Sequence, residues 1–394
     1  MTAIVGVPRE TYPGERRVAL TPRACDALMK LGLAVVVEYS AGLESGFTDE
    51  EYERHGARVA SRAAVFESAG IIVQARATGA NPEHGRSDLA LLKHGQVVIG
   101  FGDPLTSLRE NQDLAEAGVA FFAMELIPRI TRAQAMDALS SMASIAGYEA
   151  VLLAASALPR MFPMMMTAAG TITPAKVLIL GAGVAGLQAI ATARRLGAVV
   201  SAYDLRAAVK EQVESLGAKF IVLDLETGEG QGGYAKSMDD AFYQRQRTLL
   251  TAVLKEQDVV ITTAAVPGRK APILITAEMA EAMSPGAVIL DIAAERGGNC
   301  ELTKQGETIV HRGVTIIGLT NLPSNKPYHA SQMYATNVVN LLKLLVNDGT
   351  LSVNLEDEIV HESLVTYRGR VVNPRVLSLM EAAGMKPGEE VARS

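Results

Sequence analysis

The chain has 394 residues, 48% of them hydrophobic and 20% charged, and its formal net charge is −6 at pH 7. This length predicts two domains, and the acidic balance argues against binding to nucleic acid. Only Cys25 and Cys300 are present and the six histidines are scattered, which excludes a disulfide framework, gives no metal-ligand spacing and suits a reducing cytoplasm. The first residues lack the basic and apolar regions of a signal peptide, and no segment is typical of a transmembrane span.

The N-terminal third alternates predicted strands with helical patterns. The strands are short apolar runs at residues 3–7, 33–38, 69–73, 96–101 and 119–124. This alternation predicts an α/β unit. A long helical pattern then runs from about 131 to 157 and ends before Pro159, as expected of a connector between domains.

The second half contains six more predicted strands, at residues 177–180, 198–203, 219–223, 258–262, 287–291 and 314–317. A last helical pattern at 335–345 would lead the chain back toward the first domain. We therefore predict an N-terminal domain of residues 1–130 completed by about 340–394, a connecting helix at 131–157 and a second α/β domain at 158–339. The predicted fold class is α/β, with two Rossmann-like domains of doubly wound parallel sheet, joined by long helices with a cleft between them.

One stretch, from Lys176 to Arg194, has the spacing of a dinucleotide-binding turn, G-x-G-x-x-G. Gly181 permits the tight turn, Gly183 lets the backbone approach a pyrophosphate, and Gly186 lets the helix pack closely on the strand. The helix then begins near Val184 and offers unpaired N–H groups to the phosphates. The alternative is a membrane helix, since the 17 residues between the two end charges are uncharged, but the glycines and the short length argue against it.

An acidic residue follows the next predicted strand, as this motif requires. The carboxylate of Asp204 can accept hydrogen bonds from both ribose hydroxyls and would repel a 2′-phosphate, so the sequence favours NAD over NADP. Thr262, Thr263 and Ala264 end another strand, at the edge of the sheet where ligands of such folds bind. We expect them to line the cofactor crevice through backbone groups; ordinary strand packing is the alternative. The methionines at 164–166 are left outside the site, because methionine is more often core filler.

Several blocks of the sequence together resemble the alanine dehydrogenase and nicotinamide nucleotide transhydrogenase family. Two of them are Gly-Val-Pro-Arg-Glu at 6–10 and Gly-Glu-Arg-Arg-Val-Ala-Leu-Thr-Pro at 14–22, and the glycine block is the third. Within the family, the chain is more similar to the NAD(H)-binding component of proton-translocating transhydrogenase. That similarity lies in residues 124–141, 162–170, 232–236, 261–264 and 297–300, and the Pro-Arg-Ile-x-Arg-Ala-Gln sequence at 128–134 is its most specific segment.

The resemblance also shows what this sequence lacks. Alanine dehydrogenases use a lysine and a histidine on the keto acid, and Arg76 and Asp103 fall at those positions here. Oxidation of an amine or alcohol needs a proton acceptor tuned near the operating pH, which arginine cannot provide. Hydride transfer between two nicotinamides moves no proton at the reacting carbons, so the missing pair is what transhydrogenation implies. Arg17 matches a substrate-carboxylate arginine of the dehydrogenases, but transhydrogenases keep it too.

The resemblance implies a polar set near the nicotinamide, consisting of Arg129, Gln134, Asp137 and Ser140. Gln134 would hydrogen-bond around the dihydronicotinamide, while Arg129 and Asp137 would orient it or contact a neighbouring subunit. For Gln134 the alternative is a capping box with Thr131. For Arg129 it is a solvated charge or an ion pair with Asp137. Tyr234 follows four glycines in six residues and would lie on a loop that closes over the nucleotide; an ordinary flexible loop is the alternative.

By this resemblance, the expected function is transfer of hydride from NADH to NADP⁺ held on a partner subunit, within a proton-translocating membrane complex. The expected partners are the membrane-spanning and NADP(H)-binding subunits and a second copy in a homodimer. The chain would be cytoplasmic and peripheral on the membrane, without direct insertion. The alternatives are a free-standing NAD-dependent amino-acid or keto-acid dehydrogenase and an inert NAD-binding regulatory module.

Overall fold

The structure is a computed structural model that describes residues 3–223, 240–265, 268–347 and 349–386. It divides into two compact units. The first unit comprises Met1–Met142 with Ser324–Ser394, and the second comprises Ala143–Pro323. The second unit is therefore continuous in sequence, whereas the first is built from two separate segments.

The strands of the described residues are numbered in chain order. They are β1 (Ile4–Val7), β2 (Ala34–Glu38), β3 (Arg58–Ala60), β4 (Ile71–Arg76), β5 (Val97–Phe101), β6 (Ala120–Ala123), β7 (Met165–Thr167), β8 (Gly170–Ile172), β9 (Lys176–Leu180), β10 (Val199–Tyr203), β11 (Lys219–Phe220), β12 (Val259–Thr262), β13 (Val288–Asp291), β14 (Thr308–His311), β15 (Val314–Ile317), β16 (Val346–Asn347), β17 (Thr350–Leu351), β18 (Leu364–Tyr367) and β19 (Arg370–Val371).

The α-helices of the same residues are α1 (Pro22–Met29), α2 (Asp49–Arg54), α3 (Arg62–Ser68), α4 (Gly85–Leu89), α5 (Leu108–Glu116), α6 (Ala138–Ala157), α7 (Val184–Arg195), α8 (Lys210–Ser215), α9 (Asp240–Leu254), α10 (Ala277–Glu281), α11 (Pro327–Leu345), α12 (Glu358–Ser363) and α13 (Pro374–Ala382). Short 3₁₀ helices include Met124–Leu126, Thr131–Met136, Ala207–Val209 and Ile292–Arg296.

The first unit is built on an eight-stranded sheet in the order β19-β18-β6-β5-β4-β1-β2-β3. The six strands β3-β2-β1-β4-β5-β6 are parallel, in the order typical of doubly wound dinucleotide folds. Strand β18 pairs antiparallel with β6, and β19 pairs antiparallel with β18. The C-terminal segment therefore extends the sheet formed by the N-terminal segment.

The second unit is built on a seven-stranded sheet in the order β11-β10-β9-β12-β13-β15-β14. All neighbouring strands are parallel except the edge strand β14. Alternate residues of β9 belong to two different cores, with Val177 and Ile179 on one face and Leu178 and Leu180 on the other. Helix α7 packs on the first face, and α9 and α10 pack on the second. A strand buried on both faces must be apolar throughout, which explains the uncharged run after Lys176.

Helix α6 is long and apolar enough, by length and composition, to cross a membrane, and 44% of its most apolar stretch is buried inside the protein. The sequence predicted a connecting helix here and no transmembrane span. Core helices of water-soluble proteins share these properties, and Ala146, Ala150 and Ala154 pack in the core of the second unit. At Gly147 a side chain would overlap the carbonyl oxygen of Ala185. The small residues of α6 thus permit close packing on α7.

The α/β class with two Rossmann-like, mainly parallel sheets is confirmed, and each predicted strand overlaps an observed one. Strand β11 has two residues and is therefore shorter than the strand predicted at 219–223. The predicted helix from 131 to 157 begins with the 3₁₀ helix Thr131–Met136, and α6 itself begins at Ala138. Strands that the sequence analysis did not predict are β3, β7, β8, β14 and β16–β19.

Candidate functional site

The glycine turn follows β9, at the point where the strand order of the second sheet reverses. Gly181 has a φ of +100°, a left-handed conformation that favours glycine, and a Cβ there would lie 2.5 Å from Oγ1 of Thr263. A Cβ at Gly186 would overlap the carbonyl oxygen of Gly181, so the first turn of α7 packs directly against the end of β9. Ligands of open α/β sheets bind at such a reversal, outside the carboxyl ends of the strands.

The N-terminus of α7 has the features of an anion-binding site. Gly183 is the N-cap residue and, as a glycine, has no side chain to cap the helix, while Val184, the first helical residue, is 39% exposed. Among the described residues, apart from its chain neighbours and the first turn of α7, no heavy atom lies within 4 Å of where a Cβ at Gly183 would be, so these residues leave the backbone open to a ligand. The first N–H groups of a helix have no partner within it and carry partial positive charge, which suits a pyrophosphate.

Asp204 follows β10 and is tied to the glycine turn. Its Oδ2 accepts a hydrogen bond of 2.7 Å from the backbone N–H of Ala182. The backbone N–H and Nε of Arg206 donate to Oδ1, and Nη2 of Arg206 donates to Oδ2. Burial alone would raise the pKa of Asp204, but these hydrogen bonds outweigh it and hold the pKa below its usual value. Asp204 is therefore a carboxylate at neutral pH.

The opposite wall of the crevice is the end of β12. The backbone N–H of Thr263 donates to the carbonyl of Leu180, and its hydroxyl donates to the carbonyl of Gly181 over 3.0 Å. Thr263 therefore joins the end of β12 to the glycine turn. Thr262 is fully buried, and its hydroxyl donates to Asp291. Of the predicted trio, Thr263 and Ala264 are the two that border the turn.

The side chain of Asn299 holds Ala264. Oδ1 of Asn299 accepts from the backbone N–H of Ala264 over 3.0 Å, and Nδ2 donates to the carbonyls of Ala264 and Pro272. This amide satisfies both backbone groups of Ala264, as a neighbouring strand would. In the sequence, Asn299 lies within the segment 297–300 that resembles transhydrogenases, and the resemblance implies no role for it.

Asp291 fixes the segment that carries Asn299. The carboxylate is fully buried and accepts five hydrogen bonds, from the hydroxyls of Thr262 and Thr303 and from the backbone N–H groups of Ala293, Asn299 and Cys300. Gly298 has a φ of +81°, and a Cβ there would lie 2.7 Å from Oδ2 of Asp291. The Gly-Gly-Asn sequence at 297–299 is the signal by which these two residues could have been found.

The polar set predicted near the nicotinamide lies in the first unit. Asp137 directly precedes α6, and its carboxylate accepts from the backbone N–H of Ser140 over 2.9 Å and from its hydroxyl over 2.6 Å. This is the geometry of a helix N-cap. Gln134 and Arg129 are exposed. The 3₁₀ helix containing Gln134 has Ile130 as its N-cap without a side-chain cap, so the alternative capping box with Thr131 does not form.

At the corresponding strand reversal in the first unit, between β1 and β4, lies a cluster of largely buried ionisable side chains. Glu10 accepts from the backbone N–H groups of Ala75 and Arg76. Arg17 donates through Nε and Nη2 to the two oxygens of Glu15, and Arg76 pairs with Glu15 over 3.2 Å. Burial and the charge of Glu15 raise the pKa of Glu10 to about 8. For Glu15, Arg17 and Arg76 outweigh burial and lower the pKa to about 2.

Comparison with known proteins identifies the family. The family model described as "Alanine dehydrogenase/PNT, N-terminal domain" matches residues 6–146. The model described as "Alanine dehydrogenase/PNT, C-terminal domain" matches residues 150–374. The chain belongs to this alanine dehydrogenase/PNT family.

Two relatives are NAD(P) transhydrogenase alpha-subunit proteins. The chain is 47% identical over 375 residues to one from Rhodospirillum rubrum, a match that covers 94% of this chain and 98% of that protein. It is 45% identical over 395 residues to NAD(P) transhydrogenase subunit alpha of Cereibacter sphaeroides, which covers 98% of this chain and 74% of that protein.

Two solved structures of the family are similar along nearly the whole chain. A transhydrogenase from Sinorhizobium meliloti is 46% identical, with a TM-score of 0.85 over 94% of this chain and all of that one. An L-alanine dehydrogenase is 25% identical, with a TM-score of 0.80 over 96% and 99% of the two chains. The predicted resemblance is confirmed, and within the family the identity is higher to transhydrogenase subunits.

The predicted residues are distributed as follows. Gly181, Gly183, Val184, Gly186, Asp204, Thr263 and Ala264 converge at the carboxyl edge of the second sheet. Arg129, Gln134, Asp137 and Ser140 lie together in sequence in the first unit. Tyr234 lies outside the described residues. Among the described residues, no group of histidine, cysteine or acidic side chains could hold a metal ion.

Proposed function

We propose that this chain is the NAD(H)-binding subunit of a proton-translocating transhydrogenase and that it exchanges hydride with NADP(H) held on a partner subunit. The observation that carries the proposal is the crevice of the second unit, where the glycine turn, the open α7 N-terminus and the carboxylate of Asp204 meet. These groups match the pyrophosphate and the ribose of a dinucleotide. Among enzymes that bind dinucleotides, the sequence identity to transhydrogenase subunits favours a transhydrogenase.

The chemistry of the first unit supports this choice over a substrate dehydrogenase. Arg76, at the position of the dehydrogenase lysine, is an ion-paired guanidinium and cannot accept a proton. Arg17 is 4% exposed and donates two hydrogen bonds to Glu15, so a keto-acid carboxylate would have to displace an internal one. Hydride transfer between nicotinamides needs neither group, only two rings held with their reacting carbons roughly 3–3.5 Å apart.

We assign the polar set of the first unit to the nicotinamide end of the reaction. Asp137 caps the start of α6 through Ser140, and this cap restrains the end of the segment that precedes the helix. Gln134 presents an exposed amide from that segment and would hydrogen-bond the dihydronicotinamide. Arg129 would orient the nucleotide or contact the partner. Tyr234 keeps the gating role implied by the resemblance.

We further propose that the chain is peripheral on the cytoplasmic face of the membrane, through membrane-spanning and NADP(H)-binding partner subunits, and that it forms a homodimer. The support is its similarity to proteins named as alpha subunits of NAD(P) transhydrogenase, a name that implies further subunits. The domain division at 1–130 with 340–394, 131–157 and 158–339 likewise stays a proposal.

The decisive experiment mixes the purified chain with its NADP(H)-binding partner subunit, NADPH, NADH and an acetylpyridine analogue of NAD⁺. Reduction of the analogue should require the partner and a catalytic amount of NADP(H). Control mixtures lack the partner or receive alanine or pyruvate instead. Alanine- or pyruvate-dependent turnover by the chain alone would refute the proposal in favour of a dehydrogenase. NAD binding with no turnover in any mixture would favour the regulatory module.

A further inference from the structure

The carboxylate of Asp204 already accepts four hydrogen bonds from donors of its own chain. Two oxygens offer about four lone-pair positions, and four hydrogen bonds occupy them. The donors are the backbone N–H groups of Ala182 and Arg206 and the Nε and Nη2 atoms of Arg206, at 2.7–2.9 Å. A ribose diol that donates two hydrogen bonds to Asp204 therefore meets an acceptor whose positions are taken.

The four donors differ in how readily they can leave. The Ala182 N–H belongs to the glycine turn, and the Arg206 N–H belongs to the backbone that enters the 3₁₀ helix Ala207–Val209. These two are fixed by the chain. The guanidinium of Arg206 stands at the end of a flexible side chain that is 18% exposed, against 6% for Asp204. It can exchange Asp204 for water, and doing so frees two lone-pair positions, one on each oxygen.

We propose that Arg206 is a specificity-determining residue that competes with the ribose hydroxyls of NAD(H) for Asp204. The proposal rests on the assignment of the ribose to Asp204 made above. Each binding event then replaces the two guanidinium hydrogen bonds with two from the diol. The contact lowers the affinity for NAD(H) and hastens its release, which suits a nucleotide that must leave after every transfer.

The same contact acts in the opposite direction on NADP(H). A 2′-phosphate would come to lie beside Asp204, and the positive charge of Arg206 partly cancels the repulsion by this carboxylate. Without Arg206 the carboxylate keeps its two backbone donors and its full negative charge. Removal of Arg206 should therefore strengthen NADH binding and weaken NADPH binding. A residue that merely supported the fold would change both affinities in the same direction.

The test measures NADH binding by calorimetry and NADPH binding by displacement of NADH, for the wild-type chain and for Arg206→Ala. We expect the Kd for NADH to fall about tenfold, equivalent to about 1.4 kcal/mol, and the Kd for NADPH to rise. Arg206→Lys keeps the charge but loses the two-point contact, so its NADH affinity should lie between the two. Arg195→Ala is the matched control, since Arg195 is exposed in the last turn of α7 and both affinities should stay unchanged.

Three results for Arg206→Ala would overturn the inference. They are a higher Kd for both nucleotides, an unchanged Kd for NADH, or a Kd that falls by the same factor for NADH and NADPH. Should Arg206→Ala fail to fold, Arg206→Lys and Arg206→Gln decide by the same ratio of the two Kd values. Asp204→Ala separates this inference from the proposed function. If Asp204→Ala leaves NADH affinity at the wild-type value, the ribose assignment itself fails, whatever Arg206→Ala shows.

Discussion

Replacing Asp291 by asparagine tests whether this buried carboxylate holds the crevice wall together. An amide oxygen in place of Oδ2 can still accept from Asn299, Cys300 and Thr303. The amide nitrogen then faces the backbone N–H of Ala293, which loses its acceptor, whereas the hydroxyl of Thr262 can rotate. One orphaned buried N–H costs about 1–3 kcal/mol, and the remaining bonds lose their charge assistance. We expect the free energy of unfolding of the second unit to fall by about 2–4 kcal/mol.

The assay is urea unfolding followed by circular dichroism, since the chain has no tryptophan. Two units can give two transitions, and the one that NADH shifts to higher urea belongs to the nucleotide-binding unit. Glu256→Gln is the matched control. It removes one carboxylate of the same unit from an exposed pair with Lys176 at 3.5 Å and should cost about 0–1 kcal/mol. If Asp291→Asn costs no more than the control, the carboxylate does not stabilise the wall, and the reasoning from its hydrogen bonds is refuted.

Three further predictions concern the turn, the polar set and the buried acid. Gly186→Ala should abolish measurable NADH binding in calorimetry while the protein stays folded, because its Cβ would overlap the Gly181 carbonyl and push α7 from the sheet; wild-type affinity would contradict this. Gln134→Asn should lower the NADH affinity little and the single-turnover hydride-transfer rate much more, so an unchanged rate would remove Gln134 from the site. For Glu10, a folded pKa of about 8 above the usual 4.5 means that its stabilising contribution is complete below pH 4.5 and is lost as the pH rises to 8. Glu10→Gln should flatten this fall in urea unfolding at pH 5 and pH 8, and an unchanged slope would assign it to other groups.

The sequence predicted the glycine turn well because its determinants are local. The tight turn at Gly181 and the approach of α7 at Gly186 need only the residues of one strand and one helix. Most parallel strands of both sheets could also be predicted from the sequence, since a strand buried on both faces appears as a short apolar run. The mixed pattern of β14 belongs to an antiparallel edge strand and carries a weaker signal.

What the sequence did not predict depends on contacts between distant residues. Asp291 and Asn299 act on Thr262 and Ala264, which lie 29 and 35 positions earlier, and their roles follow only once β12 and β13 are neighbours. The 3₁₀ helix at 131–136 also escaped prediction, because its apolar spacing continues into α6. Arg206 escaped prediction for a different reason: its partner is only two residues away, but the dinucleotide motif assigns Asp204 to the ribose alone.

The separation of the first unit into two segments has a consequence for biosynthesis. Strand β18 takes its place beside β6 only after the ribosome has translated the whole of the second unit. The nucleotide-binding unit is contiguous and can complete its sheet while the N-terminal segment still exposes the edge of β6. Domains generally fold in order from the N-terminus as the chain emerges. Here the first unit begins first but completes its sheet last, because β18 is translated after the second unit. We infer that the nascent chain acquires its NAD(H) crevice before its first unit closes, and that the unpaired β6 edge is the stretch most in need of protection by chaperones.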